Sequence, residues 1–107
     1  MNTEAHFMAL VSKFSSSDPE IILGKMMSSP ALKYRDRVFA FYHKHEMGFR
    51  LGPGFDPKKS GIRNARPLSP FKTKPPLRGW YIIAANESNT WEFLTGRALD
   101  FTMSLDN

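Results

Sequence analysis

The sequence predicts a two-layer α+β domain, in which helices at both ends of the chain pack on an antiparallel β-sheet meander. An apolar stripe with helical spacing lies near each end, and short β-rich stretches joined by polar turns occupy the middle. Strands do not alternate with helices, so a parallel α/β sheet is not expected. A chain of 107 residues is the size of one domain, so we expect residues 1–107 to fold as a single unit.

The first helix is predicted from four apolar residues spaced at i, i+3, i+4 and i+7. These are Phe7, Leu10, Val11 and Phe14. Either Asn2 or Thr3 is expected to cap its start, and the serines at 15–17 to end it. The apolar residues 21–23 that follow fit either a further turn or a strand.

A meander of three strands is predicted next, at residues 31–34, 38–43 and 47–51. The polar residues 35–37 and 44–46 form the turns between them. Strict alternation in the second strand places Phe39 and Phe41 on one face. Since the other face is also apolar, this strand is expected to be central. One more strand is predicted over residues 80–84.

The final helix is predicted to begin near Asn89, because Asn89 and Glu92 have the spacing of a capping box. Its apolar stripe predicts one buried face, formed by Trp91, Leu94, Ala98, Phe101 and Leu105. The leading core candidates of the whole chain are Phe39, Phe41, Trp91, Leu94 and Phe101.

A long, basic, proline-rich loop is predicted at about residues 52–79, where six of the eight prolines lie and no apolar period survives. Its isolated hydrophobic residues, Phe55, Ile62, Leu68 and Phe71, are expected to dock on the core. Seven basic residues lie in its second part: Lys58, Lys59, Arg63, Arg66, Lys72, Lys74 and Arg78. No acidic residue lies among them, and the remaining eight basic residues are outnumbered by ten acidic ones. The loop therefore carries the whole positive excess of the chain.

Several classes of protein are excluded or disfavoured. There is no cysteine, no apolar run long enough to cross a bilayer, and no secretory signal at the N-terminus, so a cytoplasmic protein is expected. The serines at 15–17 and 28–29 lack a convincing paired histidine and acid, and residues 52–54 lack the spacing of a phosphate-binding loop. His43 and His45 alternate at a strand end and could face the same way as two metal ligands, but further ligands are not evident and exposed turn histidines are commoner. No catalytic, metal or cofactor site is therefore predicted.

Local motifs along most of the chain point to a known family. Residues 24–33 (GKMMSSPALK), the strand segment Val38-Phe39-Ala40, residues 68–72 and 75–80, and the helix containing Trp91 together resemble the N-terminal domain of the TfoX (Sxy) family. The resemblance covers roughly residues 7–103. It departs at residues 27–28, where the family usually has Phe and Gly.

The resemblance implies a small bacterial, cytoplasmic, often dimeric α+β domain, and it brings no catalytic residues. The regulators of natural competence in this family act with a transcription activator and carry a second, C-terminal domain. The present sequence contains no such domain, so a stand-alone single-domain member is expected.

The expected function is that of a non-enzymatic regulatory module that contacts an anionic protein partner around residues 58–78. The resemblance implies a partner related to transcription. The seven basic residues are the candidate contacts, because clustered charge steers association with an anionic surface. The alternative is a nonspecific nucleic-acid binder, in which Phe71 or Trp80 stacks on a base. A homodimer is also expected, since a small sheet leaves edges to protect.

Overall fold

The computed structural model of the protein describes residues 2–69 and 75–105. Its α-helices are α1 (Thr3–Ser17) and α2 (Trp91–Ser104). The strands are β1 (Ile21–Met26), β2 (Ser29–Tyr34), β3 (Arg37–His43), β4 (Glu46–Arg50), β5 (Ala65–Pro67) and β6 (Trp80–Ile83). Two 3₁₀ helices span Pro57–Ser60 and Ala85–Thr90.

The strands form one antiparallel sheet in the order β1-β2-β3-β4-β6-β5. Because β6 lies between β4 and β5, the edge strands are β1 and β5. Both helices pack on the same face of the sheet, which confirms the predicted α+β fold class. Residues 21–23, which fitted two alternatives, belong to β1.

Three two-residue turns connect β1 to β4, and both central residues of each turn have positive φ. These residues are Met27 and Ser28, Arg35 and Asp36, and Lys44 and His45, with φ between 47° and 79°. Positive φ at both positions is the geometry of type I′ turns, whose twist matches that of the flanking strands. Because none of the six residues is glycine, each turn carries a local conformational cost that the strand pairing offsets.

A β-bulge places Phe39 and Phe41 on opposite faces, so the prediction that they share a face is wrong. The register of β2 against β3 shifts between Leu32 and Lys33, which leaves Phe39 without a partner of its own in β2. Phe39 therefore turns into the helix-facing core, where it is 0% exposed. Phe41 belongs to a second apolar cluster on the other face. The strand itself is central, as predicted.

The helix-facing core contains most of the two predicted helical stripes. Its fully or nearly fully buried helical residues are Phe7, Leu10, Val11, Trp91, Leu94 and Ala98. Phe101 is only half-buried, so its prediction as a core residue is wrong. Its ring lies at the margin of the core, with the guanidinium of Arg50 5.8 Å from the ring centre.

The two α-helices begin differently. Asn2 caps α1, since its Oδ1 accepts a hydrogen bond from a backbone N–H at 3.0 Å. α2 continues directly from a 3₁₀ helix, and Thr90 before it makes no side-chain cap. The predicted capping box of Asn89 and Glu92 is therefore wrong. Glu92 instead accepts a hydrogen bond from Lys13 of α1 at 2.8 Å, across the two helices.

Residues 52–79 contain more regular structure than predicted, namely the first 3₁₀ helix and β5. The predicted docking of Ile62 and Leu68 is confirmed, since they are 2% and 9% exposed. Phe55 packs half-buried against the helix-facing core. Phe71 lies outside the described residues.

Replacing Phe39 with Ala should lower the free energy of unfolding by about 3–5 kcal/mol, because it removes a fully buried ring. That is a large part of a total stability of about 5–15 kcal/mol, so thermal unfolding followed by circular dichroism should show a clear fall in Tm. Phe93→Ala is the matched control, since Phe93 is 58% exposed on α2 and should change stability by less than about 0.5 kcal/mol. Equal Tm values for the two variants would contradict the buried position of Phe39.

Candidate functional site

The face of the sheet opposite the helices, which we call the open face, carries the second apolar cluster. Cross-strand pairing aligns Ala31, Phe41, Gly48 and Ile82 in one row across β2, β3, β4 and β6. Leu68 and Trp80 complete the cluster at its side. It exists because alternate residues of a strand point to opposite faces, and the central strands are apolar on both.

Gly48 allows the ring of Phe41 to lie flat across the open face. Gly48 is directly opposite Phe41 in the β3–β4 pair, and a Cβ atom at position 48 would overlap that ring. The absence of a side chain at Gly48 thus lets the aromatic ring rest on the sheet rather than stand away from it. The ring of Phe41 therefore forms the floor of the open face at this point.

A cleft of about 470 Å³ lies on the open face, above this floor. Its apolar lining comes from Met26, Phe41, Leu68 and Ile82, and its polar wall consists of Ser29, His43, Glu46 and Arg66. The volume falls within the range of small-molecule sites, which combine an apolar lining with a few polar groups. The sequence reasoning missed this polar wall.

Ser29 and His43 form one half of the polar wall. The Oγ of Ser29, a buried residue, lies 3.0 Å from Nδ1 of the exposed His43. Ser29 therefore has a histidine partner that the sequence did not reveal. Among the described residues no carboxylate is hydrogen-bonded to His43, so the pair lacks the third member that orients a catalytic triad.

His45 faces away from this wall, so of the two alternatives for His43 and His45 the structure excludes the one in which both face the same way. Nδ1 of His45 lies 3.0 Å from Oγ1 of Thr3, at the start of α1 on the helix side. The same Thr3 oxygen lies 2.7 Å from the hydroxyl of Tyr42. In the described part of the chain, no three His, Asp or Glu residues are grouped closely enough to hold a metal ion.

Glu46 and Arg66 form the other half of the polar wall. Nη1 and Nη2 of Arg66 donate to the two carboxylate oxygens of Glu46 at 2.7 and 2.6 Å. These hydrogen bonds lower the pKa of Glu46 below its ordinary value, although partial burial acts in the opposite direction. The positive charge of Arg66 is therefore neutralised by Glu46, although no acidic residue lies near Arg66 in the sequence.

Lys58 and Lys59 lie exposed on the first 3₁₀ helix. The Oδ1 of Asp56 accepts the backbone N–H of Lys58 at 3.0 Å, and Gly61 ends the helix in a left-handed conformation. The buried Ile62 follows immediately and fixes the segment to the core. The two lysines are thus held side by side on an anchored turn.

Arg63 and Arg78 are exposed in two further places. The backbone N–H groups of Arg63 and Asn64 donate to one carboxylate oxygen of Glu87 at 2.7 and 3.0 Å, which lowers the pKa of Glu87. Arg78 lies beside Pro76, just before β6. Within the described residues, neither arginine forms a salt bridge.

The five candidate cations that the structure describes therefore lie in different local settings. Lys58 and Lys59 are adjacent on the first 3₁₀ helix, and Arg66 is bound to Glu46. Arg63 follows the buried Ile62, and Arg78 comes just before β6. Lys72 and Lys74 lie outside the described residues.

The nucleic-acid alternative predicted that Trp80 could stack on a base, but Trp80 is not accessible for this. It is 9% exposed, and its ring centre lies 5.9 Å from that of Phe41 within the open-face cluster.

Comparison of the chain with protein-family models, with curated proteins and with solved structures found no match. The resemblance to the TfoX family thus stays a prediction. Neither helix of the described residues is long and apolar enough to span a membrane.

Replacing Glu46 with Gln should lower stability at neutral pH and have little effect in acid. The folded-state pKa of Glu46 is lowered, so its contribution is present above the unfolded-state pKa and is lost as pH falls through the folded one. The side chain of Arg66 is 59% exposed, so after solvent screening the loss near pH 7 should stay below about 1 kcal/mol. Urea unfolding of both proteins at about pH 7 and about pH 2 measures this difference. A difference that grows in acid would show that Glu46 does not act through its charge.

Proposed function

We propose that the chain is a cytoplasmic, non-enzymatic interaction module of the TfoX N-terminal type, which binds an anionic protein partner through its basic segment. Its contacts are Lys58 and Lys59, with Arg63 and Arg78 contributing to the same positive field. Lys72 and Lys74 belong to the proposal on the sequence alone.

The observation that carries this proposal is the anchored pair of lysines. Lys58 and Lys59 are exposed, form no salt bridge within the described residues, and lie on a backbone held by Asp56 and Ile62. Binding then costs side-chain ordering but little backbone ordering. A short segment of this kind presents its charge without having to fold on contact.

The charge distribution supports an anionic partner. Seven basic residues lie in one segment of the sequence with no acidic residue among them, and the rest of the chain is slightly acidic. A field of this kind accelerates encounter with a negative surface and contributes less to affinity. Arg66 is withdrawn from that field by Glu46, so the steering charge comes from the other cations.

The alternative function, nonspecific nucleic-acid binding, would use the same cations on phosphates. With Trp80 buried against Phe41, such binding would depend mainly on charge. Affinity should then fall steeply with salt and be indifferent to base sequence.

Reversal of the lysine pair tests the proposal. The variant Lys58→Glu/Lys59→Glu is compared with Lys25→Glu/Lys44→Glu, which changes the net charge equally on exposed residues of the meander. Labelled poly-L-glutamate and random-sequence duplex DNA serve as probes in fluorescence anisotropy, at about 50–200 mM salt. We expect polyglutamate binding to fall at least about tenfold in the first variant and to change less than about twofold in the control.

Three results would overturn the proposal: no binding of polyglutamate by the wild type, equal loss in both variants, or DNA binding that exceeds polyglutamate binding at every salt concentration. The last result would support the nucleic-acid alternative instead.

We also propose a homodimer that forms along β1. This edge strand has six residues, and its Ile22 and Leu23 are 51% and 48% exposed on opposite faces. The other edge, β5, has three residues and contains Pro67, which protects it from pairing.

Light scattering at tens of micromolar protein should therefore give twice the mass of one chain. Leu23→Lys should reduce that mass to one chain, because it places like charges close to the two-fold axis. Met103→Lys, at an exposed position on α2, should remain dimeric. A wild-type protein with the mass of one chain would remove the proposal.

A further inference from the structure

The apolar lining of the open-face cleft is rich in groups that favour aromatic partners. The ring of Phe41 lies in its floor, and the thioethers of Met26 and Met27 line one end. Met27 is 60% exposed at the tip of its turn, so its sulfur is available to a ligand. Thioether sulfur and aromatic rings both make favourable contacts with a second ring.

The guanidinium of Arg66 adds a third such group. Its two hydrogen bonds to Glu46 hold the plane of the guanidinium in one orientation, while 59% of the side chain remains exposed. A planar guanidinium stacks on aromatic faces, and one already fixed in place loses little freedom when it does so. Aromatic preference therefore comes from three separate elements of the fold.

The polar wall selects against charge in the ligand. Arg66 and Glu46 neutralise each other at close range, so an added anion meets the carboxylate and an added cation meets the guanidinium. Uncharged hydrogen-bonding groups meet no such opposition. Arg66 retains an Nε–H donor that Glu46 does not use, and His43 retains its second ring nitrogen.

We propose that the open-face cleft binds a small, uncharged aromatic molecule that carries a hydrogen-bonding group on its ring. The ring lies between Phe41, the two methionines and Arg66, and the polar group faces His43 and Arg66. This site does not involve Lys58 or Lys59, so it stands or falls separately from the anionic partner.

The two tryptophans of the chain provide an internal reporter. Trp80 contacts Phe41 beside the cleft, whereas Trp91 is 0% exposed in the helix-facing core. A ligand in the cleft should shift the indole N–H resonance of Trp80 in a ¹⁵N-labelled protein. The resonance of Trp91 should remain in place.

Four compounds of similar shape separate the requirements. Benzamide is aromatic and uncharged, cyclohexanecarboxamide lacks the aromatic ring, benzoate is an anion and benzamidine is a cation. We expect benzamide to give saturable shifts at Trp80, Ser29 and Ile82, with a Kd of about 1–10 mM for a ligand of this size. Each of the other three should bind at least about fivefold more weakly.

Two variants connect the binding to the cleft. Met27→Ala removes an exposed thioether and should weaken benzamide binding about threefold, whereas Met8→Ala, at an exposed position on α1, should leave it unchanged. Gly48→Ala should push the Phe41 ring into the cleft and weaken binding about tenfold. Thermal unfolding of each variant confirms that the protein is folded under the conditions of the titration.

The proposal is overturned if benzamide gives no saturable shift, or if Trp91 shifts as much as Trp80. Equal binding of all four compounds would also overturn it, because it would show a general apolar surface without the proposed selectivity. Equal effects of Met27→Ala and Met8→Ala would place the binding elsewhere on the molecule.

Discussion

Both helices cover the same face of the sheet, and this one-sided arrangement constrains what the opposite face is made of. β3 is apolar on both sides, so Phe41 must be buried without a helix above it. The sheet meets this requirement with its own residues. Gly48 has no side chain that would overlap the ring of Phe41, and Trp80 packs beside that ring. Leu68, the residue after β5, belongs to the same cluster. In the described residues, the cleft lies on this face, where Phe41, Leu68 and Ile82 line it.

The ion pair of Glu46 and Arg66 distinguishes Arg66 from the other described cations of the basic segment. Arg66 lies on β5 and binds a residue of β4 across the intervening β6, so it connects the proline-rich segment to the meander. Lys58 and Lys59 lie on a 3₁₀ helix that is capped by Asp56, and within the described residues their ammonium groups form no salt bridge. Cations close together in the sequence thus differ in their surroundings, since Arg66 is paired with Glu46 and the two lysines form no salt bridge within the described residues.

Periodicity was sufficient to predict both helices and the central strands, because each depends on residues a few positions apart. The faces of Phe39 and Phe41 could not be predicted this way, since the bulge between them depends on how β2 is aligned with β3. The cleft also depends on strand alignment, because Ser29 of β2 and His43 of β3 are brought together by the pairing of these two neighbouring strands. One signal was available, because a two-residue turn after His43 makes Glu46 its direct partner. The basic segment was visible in the sequence, but the loss of Arg66 to Glu46 was not.

The strand order has a consequence for the way the chain folds. β1 to β4 pair only with their neighbours in the sequence, across two-residue turns, so this part of the sheet closes at little entropic cost. β6 must reach β4 across residues 51–79, and non-local pairings of this kind form slowly. β5 pairs with β6 alone among the described strands. Although β5 precedes β6 in the sequence, β5 can therefore join the sheet only with β6 or after it.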